Sequence, residues 1–315
     1  MGRKTKIDWA DASWNPVTGC LHGCAYCYAK KIAERFAGCD TGSTYGYGTS
    51  REWRRINPYM VNAPMFEVGK DRPPINVRFN NKTQKTEISV APYPFGFAPT
   101  FRYDKLEEPQ HWKTPKNIFV CSMADLFGDW VPAEWIWHVF SAARRAPQHR
   151  YLFLTKNPKR YIKLLSSDLL PDDDNFWYGA TWETDRWHNH GRVIVPDIDG
   201  YDQQTEDLLH PETQYTWNTV PGGNVFPDLE GRHRFISFEP LLCDIMKLNY
   251  QSNIEWYIIG AETGKRPGKI IPERQWVDHI TQNADRNKAK VFMKESLATL
   301  MADDFRQEFP WEVRS

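Results

Sequence analysis

The stretch Gly19-Cys20-Leu21-His22-Gly23-Cys24-Ala25-Tyr26-Cys27-Tyr28 sets three cysteines in eight residues, with the spacing C-x3-C-x2-C. Three thiolates this close can anchor three corners of a cubic [4Fe-4S] cluster and leave the fourth iron without a protein ligand. The next cysteine, Cys39, lies twelve residues beyond Cys27, so the spacing predicts that a small molecule completes the coordination. Two other readings use the same residues. With His22 the three cysteines make a Cys3His zinc donor set, although one short loop would then have to wrap all four ligands around the metal. A disulfide framework is the third reading, and an odd local set of three cysteines speaks against it.

The flanks of this stretch point to a barrel. Trp9, Trp14, Asn15 and Pro16 form a short extended lead, because a residue before proline is biased away from helix. From Tyr28 to Phe36, Ala29, Ile32, Ala33 and Phe36 fall on one helical face. Strand, loop and helix in that order are expected at the strand ends of a β/α barrel. The same pattern recurs downstream. Apolar runs at 117–121, 150–155, 176–181, 235–238, 256–260 and 290–293 predict strands. Helices are expected from Val131 to Arg145 entered at Pro132, through Leu165, through about Val193, from Glu273 to Asn287, and after Lys294. Continuous apolar strands between helices indicate a parallel sheet covered on both faces. The reading is α/β: a partial (β/α)6 TIM-like barrel forming one domain over residues 1–315, with insertions at about 40–94 and about 197–232.

Ligands of such sheets sit at the carboxyl ends of the strands. Those ends carry Asp125, Lys156, Glu183, Glu239, Glu262 and Lys294, an ionisable residue after nearly every expected strand. Helix capping is the plainer explanation for Asp125 and Glu183. It fits Glu239-Pro240 and Glu262-Thr263-Gly264 less well, because loops follow them.

The first insertion carries Arg51, Arg54, Arg55, Lys70, Arg72, Arg78, Lys82 and Lys85 among Tyr45, Tyr47, Trp53, Tyr59 and Phe79, against five acidic residues. Basic and stacking side chains together suit nucleotides or single strands; a solvated insertion whose aromatics pack on the barrel accounts for the same composition. Alternation in 75–79 and 87–90 predicts a hairpin inside it. Over the whole chain Lys plus Arg and Asp plus Glu balance at 40 each, so no global field draws it to nucleic acid or membrane. No apolar run approaches a membrane span, and Met1-Gly2-Arg3-Lys4-Thr5-Lys6 lacks an apolar signal region, so a cytoplasmic setting is expected, one that keeps thiols reduced.

The cysteine stretch, with Tyr26 directly before the third cysteine, resembles the signature of the radical S-adenosylmethionine (radical SAM) superfamily. The resemblance reaches further, to one phage-associated radical SAM family of unassigned function. It is carried by Lys6-Ile7-Asp8-Trp9, Ser13-Trp14-Asn15-Pro16-Val17-Thr18-Gly19-Cys20, Ser122-Met123-Ala124-Asp125-Leu126-Phe127, Leu154-Thr155-Lys156-Asn157-Pro158, Phe238-Glu239-Pro240-Leu241-Leu242 and Ile259-Gly260-Ala261-Glu262-Thr263-Gly264. It implies Cys20, Cys24 and Cys27 as ligands of a [4Fe-4S] cluster, and SAM chelating the fourth iron through its methionyl amino and carboxylate groups. The reduced cluster would pass one electron to the sulfonium, giving a 5'-deoxyadenosyl radical that takes a substrate hydrogen. An electron donor such as flavodoxin or ferredoxin is then needed, and the family's three-Cys-motif partner protein is a further expected partner. The Gly-Gly-Glu common in the superfamily after the second strand is absent, and Ser122-Met123-Ala124-Asp125 stands in its place.

Position assigns the remaining roles. Tyr26 is expected at the adenine, with Ser122, Met123 and Asp125 along the methionyl end. Thr181 and Glu183 are candidates for the SAM ribose or carboxylate. Glu239, Glu262 and Lys294 are candidates for polar contacts with substrate or SAM. Cys243, four residues beyond Glu239, is a candidate hydrogen donor to a product radical, a buried structural thiol being the commoner case. Cys121 reads as strand core, and His188 and His190 as surface residues. Three functions compete: SAM-radical chemistry on a nucleotide, nucleoside or nucleic acid, the same chemistry on a peptide or partner protein, and a binding protein with a structural metal.

Overall fold

The computed structural model describes residues 5–38, 65–70, 75–183, 229, 231–245 and 253–312. Cys39, Arg51, Arg54, Arg55, Arg72, His188, His190, the aromatics Tyr45 to Tyr59, the helix expected through Val193 and nearly all of the second insertion lie outside them. The chain is grouped in two units, one made of Met1–Thr5 and Ala10–Tyr151, the other of Lys6–Trp9 and Leu152–Ser315.

In the first unit, strand β1 (Ala12–Trp14) runs parallel to a later strand, Asn117–Val120, with Ala12 opposite Ile118 and Trp14 opposite Val120. Both pairs are buried, and Trp14 satisfies its indole N–H on the Lys105 carbonyl at 2.7 Å. Strand β2 (Val17–Thr18) leads into the cysteine loop, and helix α1 (Tyr28–Arg35) leaves it, as the sequence predicts. β3 (Phe66–Val68) and β6 (Thr100–Arg102) join β2 in a small mixed sheet of order β2-β6-β3. Between them β4 (Ile75–Asn80) and β5 (Lys85–Val90) form the expected antiparallel hairpin, with Asn80 Oδ1 accepting the backbone N–H of Lys82 and Thr83 in its turn. Arg102 is fully buried because its guanidinium is satisfied twice over, on both oxygens of Asp104 (2.8 and 2.7 Å) and on the carbonyls of Ala91 and Pro92.

The Asn117–Val120 strand is β7, and helix α2 (Ala133–Arg144) follows it, entered at Pro132 where the ring's fixed φ suits a helix start. Trp135, Ile136, Val139, Phe140, Ala142 and Ala143 recur at helical spacing and are buried. β8 (Arg150–Thr155) begins in this unit, next to β7, where the Arg150 N–H donates to the Lys116 carbonyl at 2.9 Å.

The remainder of β8 opens the second unit, where the order is β8-β9-β10-β11-β12, with β9 (Phe176–Thr181), β10 (His233–Phe238), β11 (Trp256–Ile259) and β12 (Lys290–Met293). The β9-β10, β10-β11 and β11-β12 pairs are all parallel. Every residue of β9 and β11 is buried, which is why these runs are apolar, Thr181 at the end of β9 aside, instead of alternating. Helices α3 (Lys159–Ser166) and α4 (Arg274–Arg286) connect strands. The helix expected after Lys294 is a 3-10 turn, Glu295–Leu297, a single α turn, α5 (Ala298–Met301), and a second 3-10 turn, Ala302–Asp304. Trp9 packs its ring 6.3 Å from Phe235 and 6.2 Å from Trp256, and Gly179 leaves the room that the Phe235 ring fills, since a Cβ there would lie 2.3 Å from it. The fold is thus mixed α/β with parallel strands, and among the described residues no helix is long and apolar enough to cross a membrane.

The core contains weak acids that burial holds neutral. Desolvation pushes the Cys121 thiol from 9.0 up to about 12 and the Tyr257 hydroxyl from 10.0 up to about 12, and raises Tyr151 in the same direction. A folded-state pKa above the unfolded value means that the native chain binds more protons in the interval between them, so stability falls as pH rises there. The stabilisation is complete below about pH 9 and is lost through about pH 12. Urea midpoints measured from pH 7 to 11 are expected to be flat to about pH 9 and then to fall steeply.

Candidate metal centre

The cysteine loop is fixed at its start by a backbone that only glycine tolerates. Gly19 has φ +86°, donates its N–H to the Met123 carbonyl at 2.9 Å, and bridges to Ala124 in parallel. A Cβ on Gly19 would stand 2.2 Å from the Ala98 carbonyl oxygen. The next residue, Cys20, donates its N–H to the Phe97 carbonyl at 3.3 Å. Gly23 turns the loop with φ +70°, and Cys27 N–H donates to the Cys24 carbonyl at 3.1 Å, closing the second spacer. Cys27 then caps α1, its Sγ accepting the Lys30 N–H at 3.3 Å. A single side chain thus ends the loop and starts the helix.

Cys20, Cys24 and Cys27 form no disulfide. Cys20 is half-buried. Desolvation raises its pKa well above the usual thiol range, the Asp125 carboxylate raises it further, and the negative charges of Cys24 and Cys27 add to this; the His22 backbone N–H pulls the other way. Three soft donors that repel each other as thiolates, in surroundings that disfavour bare negative charge, suit a cationic iron centre, which would remove both penalties. Among the described residues, no group of three or more His, Cys, Asp or Glu side chains is arranged to hold a single metal ion.

His22 faces Asp125. Its Nε2 donates to Asp125 Oδ2 at 2.7 Å, with both side chains buried, and its ring meets Trp130 edge-on with centroids 4.9 Å apart. The other oxygen, Oδ1, accepts the Phe127 N–H at 3.0 Å. Asp125 thus caps a turn instead of a helix, and α2 starts at Pro132 with no side-chain cap. Asn15 holds the rest of that turn, its Oδ1 accepting the Ser122 hydroxyl (3.2 Å) and the Met123 N–H (3.0 Å), while the Tyr28 hydroxyl donates to the Ser122 carbonyl at 2.8 Å. Met123 packs among Ala29, Ala33, Cys27, Tyr93 and Phe97. Ser122, Met123 and Asp125 are therefore gathered beside the cysteine loop, and Tyr26 sits half-buried within it. Sequence reasoning did not single out Asn15 or His22 as loop-holding residues. The His22–Asp125 contact spans 103 residues, and no local pattern announces it.

In the second unit the strand-end charges neutralise one another. Lys156 after β8 pairs with Glu183 after β9, and Lys294 after β12 pairs with Glu239 after β10. The second pair reaches over the end of β11, where Gly260 makes room: a Cβ there would be 2.8 Å from Lys294 Cδ and 3.4 Å from Glu239 Cγ. Glu262, buried, takes both arms of Arg266 (2.6 and 2.7 Å), which hold its carboxyl below the usual range. The loop after β10, which opens with a cis Glu239-Pro240 bond, is tied to both neighbouring strand ends, Leu241 N–H to the Gly260 carbonyl and Leu242 N–H to the Glu183 carbonyl, each at 2.9 Å. Thr181 is buried at the end of β9. Cys243 is half-buried, its Sγ donating to the Asp244 carbonyl at 3.4 Å; Cys121 is buried just beyond β7.

No curated protein and no solved structure matches the chain. One family does, over residues 4–81, 74–194 and 218–304. With most of its length matched, from the lead into the cysteine loop to the last strand, the chain belongs to the family described as "Protein of unknown function (DUF5131)".

Proposed function

We propose that this chain is a radical SAM enzyme in which Cys20, Cys24 and Cys27 hold three irons of a [4Fe-4S] cluster and S-adenosylmethionine completes the fourth. The observation that carries the reading is the loop itself: three thiols in no disulfide, with C-x3-C-x2-C spacing, on one loop between β2 and α1. When bound, the cluster supplies the electron that cleaves the sulfonium, and the chain supplies position and shielding.

The parts assigned to this chain are specific. Gly19 seats the loop against 97–98 and 123–124, and His22 with Asp125 holds its first spacer. Tyr26 is assigned to the adenine and Ser122, Met123 and Asp125 to the methionyl end. Thr181 and Glu183 are assigned to the ribose or carboxylate of SAM, and Glu239, Glu262 and Lys294 to polar contacts with substrate or SAM. Because Glu239 and Lys294 already satisfy each other, they favour a neutral or zwitterionic group over a bare anion. Cys243 is the assigned hydrogen donor to a product radical.

The substrate class proposed is a nucleotide, nucleoside or nucleic acid, on the basic and aromatic composition of residues 40–94. The described part of that insertion presents Lys82 and Lys85 exposed on the β4–β5 hairpin. Anaerobic reconstitution tests the enzyme reading: about four irons per chain, and reductant-dependent formation of 5'-deoxyadenosine and methionine from SAM, are expected. A chain that takes up no iron and leaves SAM intact is a binding protein. Binding of single-stranded DNA or RNA that weakens steeply with salt supports a polymeric substrate, and no binding at low salt removes it.

A further inference from the structure

We infer that the outer face of helix α1 is the docking surface for an acidic, one-electron carrier protein; the inference rests on the radical SAM reading. Tyr28 and Ile32 lie one turn apart on α1 and Phe36 is the residue that closes it; the sequence groups Ile32 and Phe36 with Ala29 and Ala33, but of these four only the alanines are buried. Tyr28, Ile32 and Phe36 are 51%, 38% and 51% exposed, and Leu21, inside the first cysteine spacer, is 39% exposed. The helix spends Ala29 and Ala33 on the core instead, packed with Met123 against Cys27. Large apolar side chains left half-exposed, with Tyr28 held at its hydroxyl by the Ser122 carbonyl, beside a loop that the chain otherwise fixes closely, mark a contact surface.

Charge specifies the partner. Of the four charged residues on α1, Lys30, Lys31 and Arg35 are basic and only Glu34 is acidic. At 100° per residue, Lys31 and Arg35 border the Tyr28–Ile32–Phe36 stripe, whereas Glu34 lies on the far side, one turn from Lys30. The Arg35 guanidinium sits over the Phe36 ring at 5.4 Å, so the cationic edge and the apolar stripe are continuous. An apolar strip with a cationic border fits a small, acidic protein bound transiently.

Position specifies what it carries. The helix starts on Cys27, whose sulfur caps it, so a protein seated on α1 is placed beside the proposed cluster, and electron transfer falls off steeply with distance. In the step itself one electron leaves the carrier's reduced cofactor, which is oxidised by one, and enters the cluster, which is reduced by one; no atom moves.

The test compares the reconstituted full chain with a Lys31→Glu/Arg35→Glu double variant and with Ile32→Ser, using dithionite or an enzymatically reduced acidic flavodoxin as the electron source. With dithionite all three are expected to form 5'-deoxyadenosine at the same rate and to hold the same iron. With flavodoxin the double variant is expected to show a KM for flavodoxin raised about tenfold or more with kcat little changed, and Ile32→Ser a smaller rise. Raising salt from about 50 to about 300 mM should raise the parent's KM and barely move that of the double variant. If dithionite drives cleavage but flavodoxin fails with the parent, or serves parent and variants with equal KM and equal salt dependence, the docking face is overturned and the enzyme reading stands. If dithionite drives no cleavage in a chain that holds iron, the radical reading falls and the docking face with it.

Discussion

Cys27→Ser is expected to leave helix α1 in place and to empty the loop of its iron. The two jobs of Cys27 are separable because they ask different things of the same atom. As a cap, the Cys27 side chain need only accept the Lys30 N–H, now made at 3.3 Å. A serine oxygen does this at least as well, serine being among the best N-cap residues. As an iron ligand it must be a soft thiolate, and an alkoxide is not available near neutral pH. The variant should therefore keep the far-ultraviolet circular dichroism and urea midpoint of the parent apoprotein to within about 1 kcal/mol. Its reconstituted iron should drop from about four per chain to near zero, with SAM cleavage falling at least about a thousandfold as the electron source disappears. A Cys27→Ala variant serves as the comparison: it should lose the iron equally and also lose about 1 kcal/mol of stability with the cap. Full iron in Cys27→Ser together with intact SAM cleavage would remove Cys27 from the ligand set and leave it only its capping role at the start of α1.

The fold was legible where one physical demand dominated. β9 and β11 are buried along their whole length, which demands apolar residues at all but the final Thr181 of β9, and both runs read as strands. Helix α2 lies where its apolar period and Pro132 place it, with ends one or two residues inside the expected span. Less was legible at the site. The clustering of Cys20, Cys24 and Cys27 is local and therefore visible, and so was the gathering of Ser122, Met123 and Asp125 at a strand end. What holds them was not visible, because Asn15 reaches Ser122 and Met123 over more than 100 residues, as His22 reaches Asp125. Asn15 read as the residue before a proline and no more. The strand-end charges were each found as single residues, yet the arrangement that matters is pairwise. Lys294 and Glu239 meet only because β11, the strand between theirs, ends in a residue without a side chain. No local pattern marks Gly260 as the residue that lets them meet.

Gly19→Ala should be the most damaging single substitution in the loop outside the cysteines, and Gly23→Ala shows why. Both glycines have positive φ, +86° and +70°, so each alanine variant pays about 1–2 kcal/mol for a left-handed backbone. For Gly23 this is the whole cost, since nothing lies within 4 Å of the added Cβ. For Gly19 the methyl carbon would fall 2.2 Å from the Ala98 carbonyl oxygen, 2.4 Å from its carbon and 2.7 Å from the Phe97 oxygen. These are backbone atoms, so no side chain can swing aside. Either 97–98 retreats, breaking the Cys20–Phe97 hydrogen bond, or Gly19 does, breaking its bond to the Met123 carbonyl. Each route adds at least about 1 kcal/mol for the broken bond, on top of the clash itself. Denaturant melts of the apoproteins should therefore place Gly19→Ala about 3 kcal/mol or more below the parent and Gly23→Ala about 1–2 kcal/mol below it. The consequence for the proposed centre follows, because both routes move Cys20 relative to Cys24 and Cys27. Iron retained after gel filtration should fall well below half in Gly19→Ala and stay close to the parental value in Gly23→Ala. Equal losses in the two variants would mean that the loop accommodates at 97–98 without cost, and that the seat described for Gly19 does not govern how the three sulfurs are held.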